Sequence, residues 1–80
     1  MNRDRLARLA INEEGFVFDP QTGESFTINQ VAHTLLKSIN AGDDEAQMVV
    51  SLCETYEVTE TTARRDVRDF LDSLHGLKLI

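Results

Sequence analysis

Side chains able to do chemistry are few in this chain, and the densest set lies between Thr59 and Leu74. There Arg64, Arg65 and Arg68 are interleaved with Glu60, Asp66, Asp69 and Asp72. Charges of both signs at that spacing can grip a charged side chain of a partner, and the arginines taken alone can reach for phosphates. His33 is a candidate base or metal ligand. No Cys, Asp or Glu stands beside it at ligand spacing on its helix face, so it reads as a histidine on a solvated face. Cys53 is the sole cysteine. A nucleophilic or redox role needs a base or cation close by to favour the thiolate, and its helical neighbours are Glu54 and Glu57, so it reads as a buried, inert core cysteine. The chain offers no paired His and Cys, no Gly-rich phosphate loop and no pair of carboxylates in evidently contrasting surroundings. Recognition is the chemistry available, and the chain is read as non-enzymatic with no cofactor and no metal.

The charged face is carried by a helix. Ala63, Val67, Phe70, Leu71 and Leu74 fall on one side when turned at about 100° per residue, which predicts docking on a core. Thr59 suits the N-cap, Glu60 suits the positive end of the dipole, and Gly76 offers a left-handed stop. Arg65 with Asp69 and Arg68 with Asp72 stand at i,i+4 spacing, each pair contributing a few tenths of a kcal/mol to an exposed helix. Arg64 and Arg68 form a cationic flank of the apolar stripe, and Asp66 and Asp69 an acidic one.

Upstream, Phe16-Val17-Phe18 and Phe26-Thr27-Ile28 flank Asp19-Pro20-Gln21-Thr22-Gly23. Pro20 presets φ for a type I turn and Gly23 supplies a positive φ, so a β-hairpin is expected. Loop length leaves open whether Phe16 and Phe18 share a face with Phe26 and Ile28. A hairpin alone is marginal and needs a third strand, helices, or both. Residues 5–11 suit either a short helix or a strand, and Met1 to Asp4 are expected to be mobile. Asn29 caps a helix with an inner stripe of Val31, Ala32, Leu35, Leu36 and Ile39, ending at Ala41-Gly42. Asp43 and Asp44 open another, with an expected inner face of Ala46, Val49, Val50, Cys53 and Tyr56. The tail Leu77-Lys78-Leu79-Ile80 can fold back on the core or extend as a strand.

These elements predict an α+β domain, winged helix-turn-helix-like, in which a small antiparallel N-terminal β-sheet precedes three helices. At 80 residues there is room for one domain, 1–80, burying only about 60% of the surface its unfolded form exposes. The chain has no Trp, four Phe and one Tyr, so the core is mostly aliphatic and a deep enzymatic pocket is not expected. A net charge of −6 argues against a nucleic-acid partner, whose phosphates call for clustered Lys and Arg. No apolar run is long enough for a membrane span or signal segment, and a cytoplasmic chain without membrane contact is expected.

The ordered run AINEEGFVFDPQTGESFTIN, the helix entry Ile28-Asn29-Gln30-Val31-Ala32, Gly42, Tyr56-Glu57-Val58, Arg65-Asp66-Val67, Asp69-Phe70-Leu71 and Leu74 resembles the PqqD family over roughly residues 9–80. Ala32 stands where that family often has Gly, and Leu36 where Trp is frequent. The resemblance implies a PqqD-like peptide chaperone, or recognition element. Such a protein binds the leader segment of a ribosomally made precursor peptide and presents it to a modifying enzyme, such as a radical S-adenosylmethionine protein. It further implies a peptide strand added along Ser25, Phe26, Thr27, Ile28 and Asn29, in a groove bounded by the Thr59–Leu74 helix. Arg64, Asp66, Val67, Arg68 and Leu71 would be the helix contribution. β-Augmentation of this kind draws affinity from an unpaired strand edge, and Ser25 to Ile28 contain no Pro or Lys to block one.

The competing class is a winged helix-turn-helix DNA-binding regulator with Thr59–Leu74 as reader. Its carboxylates outnumber its arginines and would repel phosphates, which ranks it second.

Overall fold

Capping and turn residues divide the chain where the hydrophobic pattern changes period. The computed structural model describes residues 3–80, in the order α1 (Asp4–Ala7), β1 (Ala10–Ile11), β2 (Phe16–Asp19), β3 (Glu24–Thr27), α2 (Gln30–Asn40), α3 (Glu45–Thr55) and α4 (Glu60–Gly76). The result is the expected α+β plan of a small antiparallel sheet followed by helices, with a short extra helix in front. The ambiguous 5–11 segment resolves into both alternatives, a turn of helix and then a strand.

Met1 and Asn2 lie outside the described residues, so the expectation of mobility does not extend to a structural statement about them. The Arg3 guanidinium donates to the Asp43 carbonyl at 3.0 Å, and Asp4 opens α1, whose Leu6 is wholly buried. Leu6, inserted into the core, anchors α1.

The sheet order is β1-β2-β3, antiparallel throughout, with Val17 opposite Phe26 and Phe18 opposite both Ser25 and Ala10. Opposed residues share a face, so the register settles the open question: Phe16 and Phe18 lie on the face opposite to Phe26 and Ile28. Val17 and Asp19 point into the molecule and are buried, while Phe16 and Phe18 remain 53% and 45% exposed on the outer face. The hairpin closes through the Gly23 amide donating to the Asp19 carbonyl at 2.8 Å, with Gly23 at φ 77.

Asn29, Asp44 and Thr59 each accept a backbone amide as N-cap, and Asp44 with Gln47 forms a reciprocal capping box. The stop of α4 differs from expectation. Gly76 is its last helical residue, and the left-handed position is Lys78 at φ 58. The Leu79 amide donates to the Leu74 carbonyl and the Lys78 amide to the His75 carbonyl, a Schellman motif in which buried Leu79 meets buried Leu74. Packing of Leu79 onto the core thus places the stop two residues beyond the glycine. The i,i+4 pairs expected on α4 are also replaced: Arg68 turns to Glu45 of α3 at 3.0 Å, and Arg64 pairs with Glu60.

The core gathers Leu6, Leu9, Val17, Leu35, Leu36, Ile39, Met48, Leu52, Ala63, Val67, Leu71 and Leu74 from the sheet and all four helices. The expected inner face of α3 is corrected. Met48, Val49 and Leu52 are buried, whereas Ala46 is exposed, Val50 is 54% exposed and Cys53 only half-buried. The apolar arc of this helix, from Met48 and Leu52 round to Val50, is wider than the strip that can be buried, so its rotation is decided by the neighbours it packs between, α2 and α4. Tyr56 adds a polar tie, its hydroxyl 3.1 Å from that of Thr34 on α2.

Candidate functional site

Backbone polarity at the sheet edge comes first. The Ile28 amide donates to the Gly15 carbonyl at 2.9 Å, so Gly15 and Ile28 form a hydrogen-bonded pair, and antiparallel pairing makes every second pair equivalent. Phe26 therefore directs its amide and carbonyl at Val17. Those of Ser25 and Thr27 point away from the sheet, toward open solvent. All four β3 residues are exposed, and β3 packs chiefly on β2. This is an unblocked edge with two residues free to pair with another chain.

Gly15 sets the far end of that edge. It adopts φ 87, and a β-carbon there would lie 2.7 Å from the Ile28 carbonyl oxygen, so only glycine admits the close approach. Half-buried Ile28 packs against the core, and Asn29 then ends the strand by capping α2, its Oδ1 accepting the Ala32 amide at 2.8 Å. His33 is half-buried beside Glu13, Glu14 and Gly15 rather than on a fully solvated face.

Where β3 runs out, a cleft opens between α2 and α4. Asn29, Val31 and Leu35 line one wall, and Asp66, Asp69 and Phe70 the other. The residues anticipated from the sequence are thus divided. Ser25, Phe26, Thr27, Ile28 and Asn29 form one continuous edge, and Asp66 joins Asn29 in the cleft. Val67 and Leu71 are buried, at 0% and 5% exposure, and seat α4 on the core. Arg64 and Arg68 lie on the opposite flank of α4, facing α3, in a groove shared with Glu45, Ala46 and Val49. Geometry therefore turns the acidic flank, and not the cationic one, toward the end of the edge strand. Val31, Leu35 and Phe70 were anticipated only as stripe residues; for Val31 and Phe70 a place at the rim of the stripe was the available signal, whereas Leu35 is buried and forms the floor.

Asp19 stands apart from this cleft. It is 5% exposed, its Oδ2 lies 3.2 Å from Arg5 Nη2 and its Oδ1 accepts the Gln21 amide at 2.9 Å. Burial pushes its pKa up, but the Gln21 amide, Arg5 and the Thr22 hydroxyl together outweigh it, and the carboxyl sits below its ordinary value. Its role is to tie α1 to the hairpin. Among the described residues no group of three His, Cys, Asp or Glu is gathered so as to hold a metal ion, and no helix is long and apolar enough to cross a membrane.

A small sheet with an exposed edge strand, backed by a helical unit whose last helix borders a cleft at the end of that strand, defines a compact recognition domain of the winged-helix kind. Residues 14–80 match the family described as Coenzyme PQQ synthesis protein D (PqqD), and the chain belongs to that family. No curated protein matches it. Among solved structures it is similar to "TbiB1 in Complex with the TbiA(beta) Leader Peptide", at 28% identity and a TM-score of 0.78, over 89% of this chain and 84% of the other. It is likewise similar to "Lasso peptide synthetase B1 complexed with the leader peptide", at 28% identity and a TM-score of 0.72, over 85% and 81% of the two chains.

Proposed function

We infer that this protein is a non-catalytic recognition element that binds the leader segment of a ribosomally made precursor peptide as an added strand on β3 and presents it to a modifying enzyme. The observation that carries the reading is the open pair of backbone groups on Ser25 and Thr27, beside a partly apolar cleft. An incoming strand would exchange hydrogen bonds with those residues, and its alternate side chains would lie on the Phe26 and Ile28 side, toward α4. Membership of the PqqD family and the two similar proteins, both bound to leader peptides, support it. A modifying enzyme of the radical S-adenosylmethionine class is the partner that the resemblance to PqqD suggests. The contacts to the leader are assigned to Ser25, Phe26, Thr27, Ile28 and Asn29 with Asp66, Asp69 and Phe70. Val67 and Leu71 support α4 from beneath, and Arg64 and Arg68 stand outside the groove.

The test is an amide chemical-shift titration with the leader of a short precursor encoded beside this protein's gene. Clustered shifts over Ser25–Asn29 and Asp66–Phe70 are expected, with slowed exchange at the Ser25 and Thr27 amides. Thr27→Pro removes an outward donor at an edge position where proline is tolerated, so it should abolish most of the binding while the protein still folds. Shifts confined to the α3–α4 groove around Val50 and Arg64 would move the site elsewhere.

A further inference from the structure

Selectivity at the cleft follows from where α4 sends its charges. On the cleft side the helix presents half-buried Asp66 and exposed Asp69 beside Phe70. Its arginines are held on the other flank, Arg64 by Glu60 and Arg68 by Glu45, while Arg65 borders the α3 side with them. Lys37, the cation of α2, is engaged with Glu13 at 3.4 Å near the β1–β2 turn. Among the described residues that line the cleft there is no cation, and the rest of the lining is mainly Val31, Ala32, Leu35 and Phe70.

Such a trough treats ligands unequally. A carboxylate entering it would leave water to meet two like charges. A neutral polar side chain would give up hydration over apolar surface with little return. A Lys or Arg side chain can lay its methylene stem over half-buried Val31, Ala32 and Phe70 and bring its head to the carboxylates. Resting on the reading that a peptide strand adds to β3, we propose that the occupant of this cleft is a leader segment with a basic side chain held by Asp66 and Asp69, and an apolar one two residues away on the same face. The two-residue spacing follows from the alternation of a strand, in which only every second side chain can face α4.

A display library of random linear peptides, selected on the wild-type chain, on Asp66→Asn/Asp69→Asn and on Thr27→Pro, separates this proposal from the reading beneath it. Wild-type binders should be enriched in Lys or Arg two positions from an apolar residue, and depleted in Asp and Glu there. The enrichment should vanish on the Asn variant, and the binders should be lost on Thr27→Pro. A selected peptide resynthesised in free form should bind the Asn variant about three- to tenfold more weakly by fluorescence anisotropy, the difference shrinking as salt is raised. Binders that depend on Thr27 but show no basic preference, or keep it on the Asn variant, overturn the proposal and leave strand addition standing. Binders indifferent to Thr27→Pro, or none at all, overturn both.

Discussion

Asp19 shows how one side chain can hold distant parts of a small fold together. It accepts from Arg5 of α1 and from the Gln21 amide of the hairpin turn while lying almost wholly buried. Because its pKa is lowered in the folded chain, its contribution is present above the unfolded carboxyl value of about 3.9 and is lost as pH falls through the folded value. Thermal unfolding followed from neutral to acid pH should show a drop below about pH 4 that Asp19→Asn flattens; an unchanged acid limb in the variant would remove Asp19 from this role. Lys78 makes the opposite point. It holds a left-handed φ of 58 at the Schellman stop, where α2 uses Gly42 at φ 92 for the same bond pattern. Lys78→Gly should therefore stabilise the chain by a few tenths to about 1 kcal/mol, read from the denaturation midpoint, since relief of strain exceeds the added freedom of the unfolded chain.

Among elements, β3 depends on a glycine outside it. Gly15 accepts the Ile28 amide and leaves room for the Ile28 carbonyl, and so fixes where the edge strand ends and where Asn29 begins to cap α2. Gly15→Ala combines a positive φ with a backbone clash, and should cost about 2 kcal/mol or more. The expected signature in amide spectra is loss of exchange protection at Ile28, with disturbance spreading to Asn29 and Ala32 before α3 and α4 are affected. A variant that melts like the wild type would mean that the strand end is held by something else. The same dependence predicts that peptide binding to the β3 edge falls with this variant although Gly15 lies outside the contacts assigned to the leader.

For the whole molecule, charge separates the two binding classes. The net charge is −6, and the arginines of α4 are partly spent on Glu60 and Glu45, which leaves little field to attract a polyanion. Duplex DNA titrated at moderate salt should show no sequence-dependent, submicromolar binding. Such binding, with a steep salt slope, would restore the regulator reading.

Local chemistry determined a large part of this fold before any packing. The caps Asn29, Asp44 and Thr59, the Asp19 to Gly23 turn and the stripes of α2 and α4 are decided by hydrogen bonds and periodicities within a few residues, so they are legible in order along the chain. So was the absence of a blocking residue in Ser25 to Ile28. What local chemistry could not decide is any choice between locally equivalent faces. The apolar arc of α3 is wider than the strip it buries, and only packing between α2 and α4 buried Met48 and Leu52 while leaving Val50 exposed and Cys53 half-buried. The outward direction of the Ser25 and Thr27 amides needed the register set by Gly15 and Ile28. Both flanks of α4 were visible in the sequence, but which one meets the edge strand depends on how the helix lies across α2 and α3, contacts between residues far apart in the chain. That tertiary choice turned Asp66 and Asp69 to the cleft and sent Arg64 and Arg68 to the other side.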